Sequence, residues 1–213
     1  MQVRTRHTPT FGVARLVLAP GEMVLVDPLT IAATSYGLGV EVKGAGAKAV
    51  ALCTAGVEGG WLDAAPVLPG DLHLVELDGK TGWCVSRHGW TASSSTVAMN
   101  PDSPLMKALF GGAEGFLNHA HGQGAVVLAC CGALDLVALA AGEAVTISSD
   151  HVVAFADTLQ CRLRPSVPDG VQSVHTGEGL VFDFAGPGAV ITQTRGPRRL
   201  STWLRANGVS ARS

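Results

Sequence analysis

The chain has 213 residues, 47% of them apolar and 15% charged, which is enough for one large or two small domains around a sizeable buried core. A formal net charge of −2 gives no electrostatic reason to expect general binding to nucleic acid or to an anionic membrane. The cysteines, Cys53, Cys84, Cys130, Cys131 and Cys161, include no Cys-x-x-Cys pair, which argues against a disulfide framework or a zinc knuckle. They lie in apolar stretches and read as small buried hydrophobes in a reducing compartment.

Taken in chain order, the start from Met1 to His7 is polar, with no apolar run behind it, so no secretory signal is expected and the predicted location is cytoplasmic. Leu18-Ala-Pro-Gly-Glu22 reads as a turn, and Gly44-Ala-Gly46 and Gly59-Gly60 as further breaks. Trp61 and Trp83, each following glycine, are expected to anchor the core. Asp71-Leu-His-Leu, Leu134-Asp-Leu and Val145-Thr-Ile-Ser alternate polar and apolar, the period of a half-buried strand. Glycine recurs often enough between these runs to suit short strands in sandwiches and barrels. The Gly-x-Gly elements are expected at sharp bends or positive φ. Two segments read as helical. Ser103–Phe110 has a Ser-Pro start and a Gly111 stop, and Arg198–Gly208 places Leu200, Trp203 and Leu204 at i, i+3 and i+4 before an Asn-Gly stop.

The runs match one another. Gly70-Asp-Leu-His-Leu-Val-Glu-Leu77 resembles Gly132-Ala-Leu-Asp-Leu-Val-Ala-Leu139, and at the same offset Val85 meets Ile147 and Ala92 meets Ala154. Glu114-Gly-Phe-Leu with Gly122-Gln-Gly-Ala-Val126 resembles Glu178-Gly-Leu-Val with Gly186-Pro-Gly-Ala-Val190. Leu18-Ala-Pro-Gly-Glu22 resembles Leu139-Ala-Ala-Gly-Glu143, and Gly44-Ala-Gly46 is expected to fill the Gly-x-Gly slot of the first copy. The apolar positions agree while the polar ones vary, as a shared inward face requires. Three units are therefore expected, at about 11–77, 78–139 and 140–197, with a helical tail over 198–213, in one continuous domain. The apolar stretch Gly124–Gly142 is long enough to imitate a membrane span. Its partner copy carries Asp71, His73, Glu76 and Asp78, which a membrane helix would not tolerate.

These glycine-based motifs, their order, and the closing Val190-Ile-Thr-Gln-Thr-Arg195 with a Trp-Leu tail resemble the altered-inheritance-of-mitochondria family, in its bacterial branch of unknown function. The resemblance extends from about Phe11 to Trp203. It implies an all-β fold of three tandem units around a pseudo-threefold axis, each similar to the tryptophan RNA-binding attenuation protein, a short double-stranded β-helix or β-sandwich, followed by a short C-terminal helix. It also implies a homotrimer. Mitochondrial members are associated with inner-membrane organisation. The resemblance supplies no activity, catalytic residue or cofactor.

Candidate sites are few. His119 and His121, at i and i+2 of a strand, share a face and could contribute to a metal site, but two ligands are too few to close one. Asp102, Asp135, Asp150, His151 and His175 have no spacing that assembles an acid–base set, and Ser93-Ser-Ser-Thr96 lacks a nucleophile elbow. Glu22, Glu114, Glu143 and Glu178, each beside a glycine, are expected to bond turn amides. Arg195, Arg198, Arg199, Arg205 and Arg212 make the tail basic. Its apolar stripe is expected to dock on the body, with contact to an acidic partner, lipid headgroups or RNA as the other reading. The expected function is a non-enzymatic scaffold or protein-interaction module with an unknown protein partner. The alternatives are a ligand- or RNA-binding ring protein and a metal-dependent enzyme built on the histidine pair.

Overall fold

A computed structural model describes residues 1–209, so Arg212 lies outside the described residues. The architecture is mostly β, with every pairing between strands antiparallel. Alternation decides which side of each strand faces inward. In β2 (Val13–Leu18), Ala14, Leu16 and Leu18 are buried while the residues between them are not.

The first third comprises β1 (Gln2–Arg6), β2, β3 (Met23–Val26), β4 (Ile31–Thr34), β5 (Gly39–Lys43), β6 (Val50–Thr54) and β7 (Gly60–Ala64). Here β7 lies between β2 and β4, β6 lies between β3 and β5, and β1 adds to the outer side of β2. Their inward residues, among them Leu16, Leu62, Val24 and Val26, form one core cluster. Each fully buried leucine there contributes roughly 2–3 kcal/mol.

The middle third comprises β8 (Leu72–Asp78), β9 (Trp83–Ser86), β10 (Trp90–Ser94), β11 (Val97–Asn100), α1 (Pro104–Phe110) and the long β12 (Leu117–Ala129). The second half of β12 pairs with β8 and β10, and its first half with β9 and β11. The last third comprises β13 (Leu134–Leu139), β14 (Ala144–Ser148), β15 (Val152–Ala156), β16 (Gln160–Pro165), β17 (Leu180–Ala185), β18 (Gly188–Gln193) and α2 (Pro197–Ala206). There β18 lies between β13 and β15, and β17 between β14 and β16. The thirds are joined by strand pairing. Val26 of β3 faces Ala92 of β10, and Val85 of β9 faces Ala154 of β15. No sheet closes on itself among the described residues. β4 pairs only with β7, and β14 only with β17.

Both helices form near their expected limits. Ser103 Oγ accepts from the Met106 amide at 3.2 Å, and Gly111 ends α1 in the left-handed conformation (φ 63°). The apolar stripe of α2, however, does not dock: none of its residues is buried, and Trp203 is 61% exposed. The side that meets the body carries Pro197, Arg198 and Ser201, because Arg198 is drawn to Asp150 and to the Thr176 carbonyl.

The glycines bring two corrections. Gly122 and Gly124 have the expected positive φ (116° and 134°), yet they lie inside β12 and do not end it. At Gly122 a Cβ would stand 2.4 Å from the Thr96 carbonyl oxygen, so the close approach of β11 requires glycine there. Gly44 and Gly46 lie in the β5–β6 connection, outside the strands, whereas Gly60, Gly124 and Gly188 lie in strands and face Leu18, Leu77 and Leu139. The stretch that imitates a membrane span is divided between β12 and β13, and no described helix is long and apolar enough to cross a membrane.

Candidate functional site

Two concavities gather the chemistry-bearing side chains. The smaller, about 260 Å³, is lined by His119, His121, Asp157, Asn100, Lys80 and Gly82, among others. Strand β12 presents both histidines, and their rings stack at 5.5 Å between centroids with a 23° interplanar angle. His119 Nε2 lies 3.0 Å from Asp157 Oδ2, which also accepts from the Gly82 amide at 2.9 Å. Gly82 is tightly enclosed. A Cβ there would stand 2.4 Å from His119 Nε2 and 2.6 Å from Asp157 Oδ2.

The lone pairs of an imidazole lie in its ring plane. Stacked rings therefore send them side by side, whereas a shared ion needs them converging at about 2.0–2.1 Å. Among the described residues no group of three or more His, Cys, Asp or Glu side chains is placed to hold a metal ion. What the arrangement does hold is position: Asp157 fixes one imidazole and one turn amide together. Asp157 lies 38 residues from His119, and nothing in the sequence spacing marks the pair.

The larger cavity, about 750 Å³, lies where all three thirds meet. Leu29 and Thr30 come from the β3–β4 turn, Arg87 and His88 from the β9–β10 turn, and Ser149 and Asp150 from the β14–β15 turn. Phe116, Trp90, Cys130 and Cys131 add apolar lining, and α2 supplies Arg198 and Ser201. Both arginines are already paired. Arg87 reaches Glu114 at 3.0 Å, and Arg198 Nε reaches Asp150 Oδ1 at 2.9 Å.

The residues considered for acid–base work are only partly gathered. Asp150 and His175 line this cavity, while His151 Nδ1 lies 2.8 Å from the Gln193 carbonyl oxygen. Asp102 and Asp135 are exposed elsewhere. Burial pushes the thiols up, that of Cys130 to about 11 and those of Cys84 and Cys53 upward as well, which keeps them protonated near neutral pH. Ser93 is fully buried. Ser94 Oγ accepts from the Ala125 amide at 3.1 Å and Thr96 Oγ1 donates to the Gln123 carbonyl, so this run serves the β10–β12 ladder.

Two of the four glutamates act as expected. Glu22 Oε2 accepts from the Ala19 amide at 2.8 Å, and Glu143 Oε2 from the Ala140 amide at 2.7 Å. Glu114 instead meets Lys48 at 3.4 Å as well as Arg87, which ties the first third to the middle one. Those cations hold its carboxyl below the usual range. Glu178 is exposed.

Residues 3–195 match the family model described as mitochondrial biogenesis AIM24. The chain belongs to this family. An uncharacterized protein of Streptococcus pyogenes serotype M6, M6_Spy0233, is 30% identical over 138 residues, which is 63% of this chain and 54% of the relative. The match thus spans about half the length of that curated relative. The crystal structure of protein SPYM3_0169 from Streptococcus pyogenes superposes with a TM-score of 0.77 at 21% identity, over 97% of this chain and 99% of that one, and shows the same fold. Neither description attaches an activity to the fold.

Proposed function

We propose that this AIM24-family chain is a non-enzymatic scaffold, built from three units around a pseudo-threefold axis, that assembles edge to edge into a homotrimer and presents its loops to a protein partner. The carrying observation is a register. The closing leucine of β2, β8 and β13 faces a glycine of β7, β12 and β18 in turn: Leu18 with Gly60, Leu77 with Gly124, Leu139 with Gly188. The pairing shifts register in each third as well, between Ile31 and Ala33, Trp90 and Ala92, and Val152 and Ala154. Units framed this way cover 13–64, 72–129 and 134–193, so the second and third begin with β8 and β13, which the expected limits of 11–77 and 78–139 place at the end of the preceding unit.

The joins between thirds carry the reading to assembly. Each uses the second strand of one unit and the third strand of the next, with Val26 facing Ala92 and Val85 facing Ala154. One such strand of each kind is left over, β14 and β4. Their unpaired backbone groups are a template for another chain. Continuing the register gives Ile147 facing Ala33, and Thr146 facing Thr34, of a neighbouring copy. A heterologous contact of this kind closes into a ring when the rotation permits.

Sedimentation at micromolar concentration is expected to give a trimer, and a clean monomer would remove the assembly. Cysteines placed at Ala33 and Ile147 are expected to form an inter-chain disulfide, because directly opposed residues fall within bridging distance. Cysteines at Ala33 and Val145, two positions out of register, are not. A trimer that cross-links at neither pair would keep the scaffold and discard the edge.

A further inference from the structure

The larger cavity carries an inference that does not depend on assembly. Its volume, about 750 Å³, falls within the range of small-molecule sites, which are mostly apolar with a few placed polar groups. Its walls combine Trp90 and Phe116 with the buried thiols Cys130 and Cys131, and Leu29 (77% exposed) and Val67 (70% exposed) stand at its margin. Such large apolar side chains left in water around a concave opening are what a ligand would cover.

Charge narrows the class. The two guanidinium groups in the lining are each met by a carboxylate, Arg87 by Glu114 and Arg198 by Asp150. An anion would have to compete with those carboxylates, and a cation with the arginines. Two buried polar atoms of the lining residues, Trp90 Nε1 and Asp150 Oδ2, have no partner among the described residues, and both are enclosed by protein and closed to a ligand.

We propose that the cavity where the three thirds meet binds an uncharged, largely apolar small molecule. Nile red, an uncharged dye with a ring carbonyl, is a suitable probe, with anilinonaphthalene sulfonate as the anionic comparison. Nile red is expected to bind saturably, one per chain, with blue-shifted emission, and about tenfold or more tighter than the sulfonate. Leu29→Asp adds a charge at the margin, and Ser201→Trp fills space from α2. Both sites are exposed or half-buried, so each variant is expected to keep the parent Tm while losing about tenfold or more in affinity. Dye uptake that does not saturate, equal binding in Leu29→Asp and Ser201→Trp, or preference for the sulfonate would overturn the proposal.

Discussion

The first and last thirds of the chain pair their strands in the same order, yet they are walled differently. Opposite Val24 and Val26 stand Cys53 and Ala51. Opposite Val145 and Ile147, on the matching strand, stand Phe184 and Phe182. The small pair suffices in the first third because its two sheets fill the space between them with their own aliphatic residues, Leu16, Leu18 and Leu62 among them. In the last third, Phe182 stacks on Phe184, Phe155 meets both at a tilt, and the three share a core cluster with Met106 and Phe110 of α1, which the middle third supplies. One pairing scheme thus accepts two cores of different grain, provided total volume is conserved. The strands also differ in neighbours. β3 is paired on both sides, and Val24 and Val26 are fully buried; β14 is paired on one side, and Val145 and Ile147 are only half-buried.

The largest expected effect tests the wall. Phe184→Ala should cost about 3–5 kcal/mol in urea unfolding, whereas Cys53→Ala, at the matching place, should cost about 1 kcal/mol or less. Similar costs at the two would mean that the cores are not built on different volumes. Next comes the neighbour effect, with identical chemistry at both sites. Val24→Ala should lose about 2 kcal/mol and Val145→Ala about half of that in dilute protein. If β14 finds a second chain, the gap should narrow as protein concentration rises, and a gap independent of concentration would speak against the edge contact.

The buried carboxylate gives a smaller, pH-dependent contrast. Bidentate bonding to Arg15, with Arg6 alongside, holds the Asp63 carboxyl below its usual range despite the opposing pull of burial. A carboxyl lowered in the folded state contributes stability above its unfolded value of about 3.9, and that contribution is lost as pH falls through the folded value. Asp63→Asn should therefore lose about 1–2 kcal/mol near pH 7, and the difference should shrink as pH falls below the unfolded value of about 3.9. Asp183, lowered by Arg164 and Thr146 on an exposed strand face, should show the same sign with a weaker effect in an acid titration of Asp183→Asn. The smallest effect should come from the turn glutamates: Glu143→Ala removes one acceptor and should cost about 0.5–1 kcal/mol by thermal unfolding, and Glu22→Ala, which also removes the partner of the Met1 ammonium, should cost more.

Much of this was legible in the residues. Period-2 alternation, the Ser103 cap, the Gly111 stop and the Leu-x-x-Gly-Glu turns are local signals, each readable within a few positions. The match of Leu77 with Leu139 and of Gly124 with Gly188 picks out two pairs that face across the ladder, Leu77 with Gly124 and Leu139 with Gly188. The place of Gly44 outside the strands and the undocked stripe of α2 share a cause: a short motif does not fix its own surroundings, which the strand pairing and the Asp150–Arg198 pair decide.

The amino-acid sequence by itself determined the β character, the turn positions, the helix limits and the family, because these follow from backbone preference and from which face of each element is apolar. Only the tertiary structure decided that Asp157 meets His119, that three distant turns enclose one cavity, and that β4 and β14 are left as edges. Those outcomes depend on contacts between residues far apart along the chain, and no local preference encodes the distance between them.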